Sequence, residues 1–311
     1  MKIKIGTRKS KLAMWQAIFV RDALEKKGIE SILMPIETKG DKVLDVSISK
    51  IGSKGVFTEE LEEMLYSGAI DIAVHSAKDL PSELPGDFEI LAFSAREKEN
   101  DVLVSRNRQC KLDNKERALK IGTSSTRRIA TLAHHFPHVE TVDVRGNLQT
   151  RIKKMDNGLC DALLLAFAGV HRMGYHEMIN QELPLNVFTP AVGQGSLAIE
   201  VSKELDEEKR FGVRAVINHQ STETKLLAGR AYRRRLRGGC STPAFANAQF
   251  SGEEIVLHAG IYSLDGRQWI QRSITGPVDE PEALGYDLGD KILHDGGAEL
   301  LKDINEKLNR K

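Results

Sequence analysis

The segment His75–Pro81 concentrates side chains that can do acid/base chemistry. It follows the mostly apolar run Ile70–Val74, which predicts a short buried strand. An imidazole, a hydroxyl, an ammonium and a carboxylate therefore emerge together at the C-terminal end of one strand, the edge where open α/β sheets bind ligands. Because Pro81 cannot continue a sheet ladder, the chain must turn there. The pattern predicts an acid/base site held on a rigid element; an ordinary polar loop is the alternative.

Arginine side chains recur at positions that suit one shared ligand cleft. Five of them follow predicted strands or flank a turn near a predicted helix start: Arg8, Arg127, Arg128, Arg145 and Arg151. A helix N-terminus offers free N–H groups and a partial positive charge. A guanidinium group binds a carboxylate through two parallel hydrogen bonds. The set predicts a cleft for a ligand rich in carboxylates or phosphates, although a solvated ion pair is the alternative for any single arginine.

A second basic run, Arg230–Arg237, lies at the end of a helix predicted over residues 218–236. Four of its arginines share one face by helical spacing, which favours a solvated surface over a contact with a polyanion. The run leads into Gly238, Gly239 and Cys240. Positive charge beside a thiol favours the reactive thiolate, so Cys240 is a candidate nucleophile or covalent attachment point. On these residues alone, a small buried residue beside a turn is the simpler interpretation.

Other familiar sites are missing from the sequence. It contains no phosphate-binding Gly-x-x-x-x-Gly-Lys-Ser/Thr motif, and Ala191–Gly195 lacks the third glycine of a dinucleotide fingerprint. That segment suits a crossover between lobes, where glycine lets the backbone bend. The nine histidines show no metal-ligand spacing, and the odd number and wide spacing of Cys110, Cys160 and Cys240 suggest neither a disulfide framework nor a zinc site. We therefore expect no metal.

The composition is that of a globular protein with two or three domains: 311 residues, 41% hydrophobic and 29% charged. The 45 basic and 44 acidic side chains nearly cancel, so the net charge of +1 gives no support for nucleic-acid binding. The longest apolar run, Ala162–Val170, is too short to span a bilayer. The first residues alternate like a strand, unlike a signal peptide. Together with the cysteine usage, these features predict a reducing, cytoplasmic location.

The elements that must position the candidate residues repeat along the chain. Strand and helix signals alternate over the first 200 residues, a pattern typical of α/β folds. Ser10 can cap a helix whose Leu12, Trp15, Phe19 and Ala23 have helical spacing. Lys4–Thr7 recurs as Lys120–Thr123, and Gly68–Val74 resembles Gly158–Leu164. Two similar α/β lobes with a ligand cleft between them are the economical interpretation, and chance similarity is the alternative.

The pattern changes after about residue 213. A helix is followed by three segments with the alternation of antiparallel strands, separated by glycine-containing turns, and then by a mostly helical stretch over residues 287–308. This order predicts a small third domain of the α+β type.

Motifs along nearly the whole chain resemble the hydroxymethylbilane synthase family, also called porphobilinogen deaminase. The matching segments are Gly6–Arg8, Trp15–Gln16, Thr38–Asp41, Lys54–Phe57, His75–Pro81, Gly122–Ser125 with Arg127 and Arg128, Arg145–Asn147 with Arg151, Asp156–Gly158, Pro190–Gly195 and Gly238–Cys240. Each match is weak, whereas their common order and spacing are specific. Two departures adjoin Cys240: Arg237 stands where glutamate is common, and Ser241–Thr242 stands where glutamine and valine are usual.

The resemblance implies a fold of three domains. The first two are similar lobes like those of periplasmic binding proteins, joined by two crossovers. We expect domain 1 over residues 1–95 with 194–213, domain 2 over residues 96–193, and a small α+β domain 3 over residues 214–311.

The resemblance also implies a transferase of tetrapyrrole (haem) biosynthesis. Cys240 would hold a dipyrromethane cofactor through a thioether, and the enzyme would assemble that cofactor from its own substrate. Four porphobilinogen molecules would be added in succession, each losing ammonia, before hydrolysis releases the linear tetrapyrrole hydroxymethylbilane. Asp79 is the expected catalytic residue, because a carboxylate near the pyrrole nitrogens can stabilise the cationic ring and move protons.

The remaining predicted site residues follow by matching position. For the cofactor they are Cys240, Lys78, Asp79, Ser124, Ser125, Arg127, Arg128, Arg145 and Gly146. For the substrate they are Arg8, Gln16, Phe57, Ser76, Thr123, Arg145, Arg151 and Gln194. Lys50 and Lys54, beside a glycine-rich stretch, suit a mobile lid. Phe57 could stack on a pyrrole ring, and packing in a core is the equal alternative.

Two other functions remain open at this point. A non-catalytic, two-lobed module that binds anions or senses an effector would share the fold and the arginines, but it gives no reason for Asp79 beside Lys78 or for a domain carrying Cys240. An RNA-binding protein that uses Arg230–Arg237 lacks aromatic stacking motifs and net positive charge. We therefore expect porphobilinogen as the partner, no nucleic acid, no membrane and a monomer.

Overall fold

A computed structural model of the chain describes residues 1–38, 58–116, 118–239 and 241–309. Four predicted site residues lie outside the described residues: Lys50, Lys54, Phe57 and Cys240. The strands are β1 (Lys2–Arg8), β2 (Glu30–Ile36), β3 (Ile72–Ser76), β4 (Phe88–Phe93), β5 (Asp101–Val104), β6 (Lys120–Gly122), β7 (Glu140–Val142), β8 (Ala162–Ala166), β9 (Ile179–Glu182), β10 (Leu197–Ser202), β11 (Ala244–Ser251), β12 (Glu254–Tyr262) and β13 (Trp269–Pro277).

The α-helices of the described ranges are α1 (Lys11–Glu25), α2 (Glu59–Tyr66), α3 (Thr126–His135), α4 (Leu148–Asp156), α5 (Phe167–Arg172), α6 (Glu207–Ile217), α7 (Gln220–Leu236), α8 (Pro281–Ile292) and α9 (Ala298–Asn309). A 3₁₀ turn, Ala77–Asp79, follows β3 directly. In the part of the chain that the structure describes, no helix has both the length and the apolar character needed to cross a membrane.

Two five-stranded sheets have the same strand order. In the first, β2-β1-β3-β10-β4, strand β1 runs parallel to β2 and β3, while β10 runs antiparallel to β3 and β4. In the second, β7-β6-β8-β5-β9, strand β6 runs parallel to β7 and β8, while β5 runs antiparallel to β8 and β9. Strand β5 enters the second sheet directly after β4 of the first, and β10 returns to the first sheet directly after β9 of the second. The chain therefore crosses twice between two α/β lobes.

The sequence repeat corresponds to a repeated hydrogen-bonded pair. The backbone N–H of Lys4 donates to Asp71 Oδ2 at 2.7 Å, and that of Lys120 donates to Asp161 Oδ2 at 2.9 Å. In return, the N–H of each aspartate donates to the carbonyl of its lysine, at 2.9 Å in both lobes. Each pair ties the first strand of its lobe to the start of the third. The prediction of two similar α/β lobes is confirmed.

Helix α1 begins where its cap predicts, but it buries a different face. Ser10 Oγ accepts a hydrogen bond from the backbone N–H of Ala13 at 3.3 Å, which satisfies one free donor of the first turn. The buried side chains are Gln16, Ala17, Val20 and Leu24. Trp15 and Phe19, two of the helically spaced apolar residues, stack on each other with ring centroids 5.7 Å apart. The Arg172 guanidinium lies 5.4 Å from the Trp15 ring, so this side of α1 meets α5 of the second lobe.

The two crossovers lie side by side. The N–H of Glu97 in the first crossover donates to the carbonyl of Gly195 in the second at 3.1 Å, and Arg96 Nε donates to the carbonyl of Gln194 at 2.8 Å. Only glycine fits at 195, because its φ is +94° and a Cβ there would lie 2.4 Å from the Glu97 oxygen. The expected domain limits at 95/96 and 193/194 fall in or beside these crossovers. The limit at 213/214 falls inside α6, whose Val213 and Ile217 pack into the core of the first lobe.

The third unit is an antiparallel sheet, β11-β12-β13, packed against α7, α8 and α9. Its core includes the fully buried Tyr232, whose hydroxyl donates to the carbonyl of Gly260 at 2.8 Å. Helices α7 and α8 pack so closely that a Cβ at Gly285 would lie 2.1 Å from the carbonyl oxygen of Ala228, and the glycine at this position permits that approach. The predicted small α+β domain is thus present, with three antiparallel strands that lie between a preceding helix and a helical C-terminal stretch.

The prediction of a solvated arginine face on α7 is wrong for Arg230. This side chain is buried, and its Nη2 donates to the carbonyls of Pro81 at 2.8 Å and Ser82 at 3.2 Å. It therefore joins the third domain to the loop that follows the Ala77–Asp79 turn. The register of the helix places Arg230 against the first lobe, which helical spacing alone could not reveal.

Candidate active site

A cleft of about 930 Å³ lies between the two lobes and the third domain. Most of the predicted site residues line it: Arg8, Gln16, Ser76, Lys78, Asp79, Ser124, Ser125, Arg127, Arg128, Arg145, Gly146, Arg151 and Gln194. They come from the end of β1, helix α1, the turn after β3, the start of α3, the loop before α4 and the second crossover. The topology therefore brings together the strand ends that the sequence singled out.

Asp79 is exposed to this cleft on the short 3₁₀ turn that ends β3. The preceding Ala77 is buried, and its N–H donates to the carbonyl of Ser196 at 3.0 Å, which fixes the turn to the second crossover. Lys78 Nζ donates to Gln194 Oε1 at 3.3 Å. A carboxylate and an ammonium are thus presented to the ligand space from a rigid support, as acid/base chemistry requires.

Burial, and then the nearby Arg128 guanidinium, lower the pKa of Lys78 to about 8, although Asp79 acts in the opposite direction. At neutral pH the Lys78 side chain therefore keeps its positive charge, while a modest rise in pH removes it. This behaviour suits a group that binds a carboxylate in a confined site.

Asp101, at the start of β5, is the centre of a buried ionic network that sequence analysis missed. Arg127 Nη2 donates to Asp101 Oδ2 at 2.7 Å, and Arg128 donates to Oδ1 through Nη2 at 2.7 Å and Nε at 3.1 Å. Gln194 Nε2 also donates to Oδ1, at 2.9 Å. Burial by itself would raise the pKa of Asp101, but the two guanidinium groups hold it well below its usual range. The one sequence signal was an acidic residue at the head of the apolar run Val102–Val104.

The network means that Arg127 and Arg128 already have an internal carboxylate partner. Both line the cleft, yet both are buried, and they also donate to the carbonyls of Thr189 and Leu164 at 2.9 Å. Much of their positive charge is therefore compensated by Asp101. Gln194 links this network to the turn carrying Asp79, because its oxygen accepts from Lys78 while its nitrogen donates to Asp101.

The loop before α4 and the first turn of α4 each contribute one less constrained arginine. Arg145 Nε donates to Asp143 Oδ2 at 2.9 Å, and Arg151 Nε donates to the carbonyl of Gly146 at 2.7 Å. Gly146 has a φ of +112°, which favours glycine at this bend. Burial lowers the pKa of Arg151, and the neighbouring charge of Arg128 acts in the same direction. Repulsion between these cations favours an anionic ligand between them.

Two predicted residues take supporting positions. Gln16 Nε2 donates to Ser76 Oγ at 2.8 Å, which joins α1 to the end of β3 within the cleft wall. Thr123 does not line the cleft: it is buried, and its hydroxyl accepts from the N–H of Ser125 at 3.3 Å. The expectation of a direct substrate contact from Thr123 is therefore replaced by a role in shaping the loop that presents Ser124 and Ser125.

His75 faces away from the acid/base group. Its Nε2 lies 2.8 Å from Glu200 Oε2, and both side chains are buried in the first lobe. His75 does not line the cleft. The imidazole therefore belongs to the interior of the sheet and not to the site that the heptapeptide first suggested.

The third domain closes the cleft with the residues that flank position 240. Gly238, Gly239, Ser241 and Thr242 all line the cleft, while Cys240 lies outside the described residues. The other two cysteines, Cys110 and Cys160, are buried. Burial raises the pKa of Cys160 to about 11, which keeps it as an unreactive thiol.

This arrangement defines a two-lobed α/β protein with a third domain, whose shared cleft is lined by cationic side chains beside an exposed carboxylate. Family models match along most of the chain: residues 3–210 match "Porphobilinogen deaminase, dipyromethane cofactor binding domain", and residues 224–294 match "Porphobilinogen deaminase, C-terminal domain". The chain is 52% identical over 307 residues to the porphobilinogen deaminase of Desulfosudis oleivorans, with 99% of each covered. It is also 52% identical over 308 residues to that of Cytophaga hutchinsonii, covering 99% of this chain and 98% of the relative.

The chain belongs to the porphobilinogen deaminase family. This confirms the predicted family, its class as a transferase, and dipyrromethane as the cofactor of its larger domain match. Distant structural likenesses include the methionine-binding protein MetQ, with a TM-score of 0.42, 10% identity and coverage of 68% of this chain and 88% of that one. Because that score is low, the repeated strand order remains the basis of the fold assignment.

The residues of the cleft fit a dipyrromethane. Two linked pyrroles carry four carboxylates and two ring N–H groups. Arg145, Arg151 and Lys78 offer cationic donors, and the hydroxyls of Ser124 and Ser125 add neutral ones. Asp79 is the acceptor that ring N–H groups require. The donor set therefore matches the group in both charge and hydrogen-bonding type.

Proposed function

We propose that this chain catalyses the stepwise joining of four porphobilinogen molecules and the release of hydroxymethylbilane. The observation that carries the proposal is the composition of one cleft, in which Asp79, the cationic side chains and both flanks of position 240 face the same space. Cys240 is the proposed thioether attachment point. The bound dipyrromethane supplies a nucleophilic pyrrole carbon and keeps the lengthening chain on the enzyme.

Asp79 is the proposed catalytic residue. Porphobilinogen loses ammonia from its aminomethyl group, which leaves a positively charged ring. The Asp79 carboxyl delivers a proton to the leaving amine, and the resulting carboxylate accepts the pyrrole N–H and stabilises the ring charge. It then takes the proton that is released when the new carbon–carbon bond restores aromaticity. The fixed turn beneath Asp79 keeps the carboxylate in place for both transfers.

The cationic side chains hold the acetate and propionate groups. We assign Lys78, Arg127, Arg128, Arg145, Gly146, Ser124 and Ser125 to the cofactor, and Arg8, Gln16, Ser76, Arg145, Arg151 and Gln194 to the substrate. Arg145 has the exposed partner Asp143, so an incoming carboxylate displaces that contact at small cost. Lys50 and Lys54 as a lid, and Phe57 as a stacking residue, remain proposals on residues outside those described.

Three further features belong to the proposal. The domain limits are those expected from the sequence, with the end of domain 1 moved from residue 213 to 217 so that α6 stays whole. The protein acts as a monomer, with porphobilinogen as its partner and without nucleic acid. It works in the cytoplasm, where a reduced Cys240 can form the thioether.

Intact-protein mass spectrometry tests the proposal directly. Purified protein should carry excess mass equal to two linked pyrroles, and Cys240→Ser should lose that mass while its folded state, measured by circular dichroism, is retained. Incubation with limiting porphobilinogen should add further single-pyrrole increments. Unmodified protein that turns over porphobilinogen at a normal rate would overturn the assignment of Cys240, and protein that neither carries the mass nor consumes porphobilinogen would support a non-catalytic module.

A further inference from the structure

The end of α7 carries five arginines whose surroundings differ. Three are engaged: Arg230 donates to two carbonyls of the first lobe, Arg234 pairs with Glu282, and Arg235 pairs with Asp290. The side chains of the other two, Arg233 and Arg237, make no hydrogen bond or ion pair with another residue of the described ranges. These two are also the arginines of the set that line the main cleft.

Arg233 is partly buried in the cleft wall without an anionic partner from the described part of the chain. Besides burial, the charge of Arg233 lowers the pKa of Arg230, so the two guanidinium groups are close enough to repel each other. A cation held partly out of water beside another cation is unfavourable unless an anion joins it. The cleft is the space from which such an anion can come.

Arg237 ends α7 in a left-handed conformation, with φ +50°. It is the one non-glycine residue with positive φ in the described ranges, and glycine or asparagine usually takes this conformation. The turn directs the chain toward Gly238 and Gly239, which line the cleft beside it. The exposed Arg237 side chain thus stands at the rim where the third domain meets the ligand space.

The cleft continues past Arg237 into a side groove of about 560 Å³ on the third domain. Leu236, Arg237, Asn305 and Asn309 line both spaces. Beyond them the groove is lined by apolar side chains that include Leu301, together with Lys302 and Glu306. Apolar surface beside cations suits a flat ring that carries carboxylates.

The growing negative charge of the pyrrole chain requires further cations, and these arginines can supply them. Each pyrrole added to a chain brings one acetate and one propionate, so the anionic charge in the cleft grows at every round. Arg127 and Arg128 share the Asp101 carboxylate and cannot supply two full positive charges to the ligand. Further cations are needed as the chain lengthens, and Arg233 and Arg237 are the ones at the third-domain end of the cleft.

We propose that Arg233 and Arg237 form a carboxylate-binding subsite that holds pyrrole rings added late in elongation, at the third-domain side of the cleft. This inference rests on the proposed function. The subsite acts on the chain already built, whereas Asp79 and the lobe arginines act at the reacting ring. Loss of the subsite should therefore leave attachment of the dipyrromethane and addition of the first porphobilinogen unchanged. It should slow the addition of the later porphobilinogen molecules.

The test compares R233Q/R237Q with R234Q as purified holoenzymes. The control removes a positive charge from the same helix, but from a side chain that pairs with Glu282 and lines neither space. With limiting porphobilinogen, intact-mass spectra should show the mass of the attached dipyrromethane in both variants. The amount of species with two or three added pyrroles should be about 5-fold or more higher in R233Q/R237Q than in R234Q. This is the effect expected when charge-assisted hydrogen bonds are lost. A ladder equal to that of R234Q would overturn the inference and leave the proposed function standing.

A second measurement does not depend on turnover. Benzene-1,2,4,5-tetracarboxylate serves as a probe, and calorimetry at low salt measures its affinity for each purified protein. We expect about 10-fold weaker binding to R233Q/R237Q than to R234Q, because two guanidinium contacts are removed. Equal affinities would also overturn the subsite. If wild-type protein carries no pyrrole mass, the proposed function fails, and this measurement alone decides whether the two arginines bind carboxylates.

Discussion

At the scale of single residues, the position of Asp79 explains why one carboxylate can serve several steps. It is exposed in the cleft, yet the turn that carries it is hydrogen-bonded to the second crossover. We predict that Asp79→Asn keeps this geometry and removes both proton transfer and charge stabilisation. The expected fall in kcat is about 100-fold or more, because general acid/base catalysis alone contributes that factor.

The measurement is steady-state turnover of porphobilinogen, made with protein that mass spectrometry has shown to carry the dipyrromethane. KM should change little, because the amide still accepts hydrogen bonds. A fully loaded Asp79→Asn variant with near-normal kcat would show that another group moves the protons.

Lys78 gives a pH dependence with a definite sign. Burial lowers its pKa to about 8 from an ordinary 10.5, so its charge disappears as pH rises through about 8. We predict that kcat/KM for porphobilinogen falls from pH 7 to pH 9, since the cofactor to which each porphobilinogen is joined loses a cationic contact that positions it. Lys78→Arg should flatten that fall, because a guanidinium group stays charged. The same fall in kcat/KM for Lys78→Arg as for the wild type would assign the effect to another group.

The same shift affects stability in the opposite sense. Between pH 8 and 10.5 the unfolded chain binds more protons at this lysine than the folded one does. The Lys78 contribution to folding free energy therefore becomes more favourable as pH rises across that interval. A loss of activity with rising pH, without a loss of stability, would distinguish a binding effect from unfolding.

Sequence reasoning identified most residues of the cleft but not their partners. Residue types at strand ends indicated Lys78, Asp79 and the arginines, because strand ends of one sheet converge. The role of Asp101 was hidden, since Asp101 and Arg127 are 26 residues apart and no local pattern links them. The sequence placed His75 with the acid/base residues because it lies next to them in the chain. Strand alternation instead points its side chain to the other side of the sheet.

At the scale of elements, Asp101 joins β5 to α3 and to the second crossover. We predict that Asp101→Asn destabilises the protein by about 3 kcal/mol, because it leaves two buried guanidinium groups without their counter-ion. Asp156→Asn is the matched control: it breaks the more exposed pair with Arg106 and should cost less than about 1 kcal/mol. Urea unfolding monitored by circular dichroism measures both.

The pH behaviour of this contact has its own sign. The folded-state pKa of Asp101 is lowered, so its stabilising contribution is complete at neutral pH and is lost only as pH falls through that depressed value. Equal unfolding free energies for Asp101→Asn and Asp156→Asn at pH 7 would show that the buried network contributes no more than an exposed pair.

Element boundaries were predictable where local chemistry sets them. The Ser10 cap predicted the start of α1, and the alternating segments predicted the three antiparallel strands of the third domain. Which sides of α1 and α7 are buried could not be predicted, because each helix packs against two different parts of the protein. Trp15 packs toward α5 of the other lobe, and Arg230 packs against the loop after Asp79. A periodicity argument assumes a single buried side, so it fails for helices that lie between domains.

At the scale of the whole molecule, the second crossover links both lobes to the active turn. Gly193 has a φ of +83°, and a Cβ there would lie 2.8 Å from the Ala77 carbonyl carbon and the Lys78 nitrogen. We predict that Gly193→Ala displaces the turn carrying Asp79 and lowers kcat by about 100-fold, the factor that a shift of roughly 1 Å can cost. Gly158→Ala is the matched control, with a φ of +85° and open space around the added carbon.

Both variants introduce the same backbone strain of about 1–2 kcal/mol, so their melting temperatures should fall by a common amount from that source. They differ in what the added carbon meets: solvent at position 158, and the backbone of the active turn at position 193. A large fall in kcat for Gly193→Ala alone would therefore report displacement of the turn and not general loosening. Equal kcat values for the two variants would show that the crossover accommodates the added carbon without disturbing Asp79.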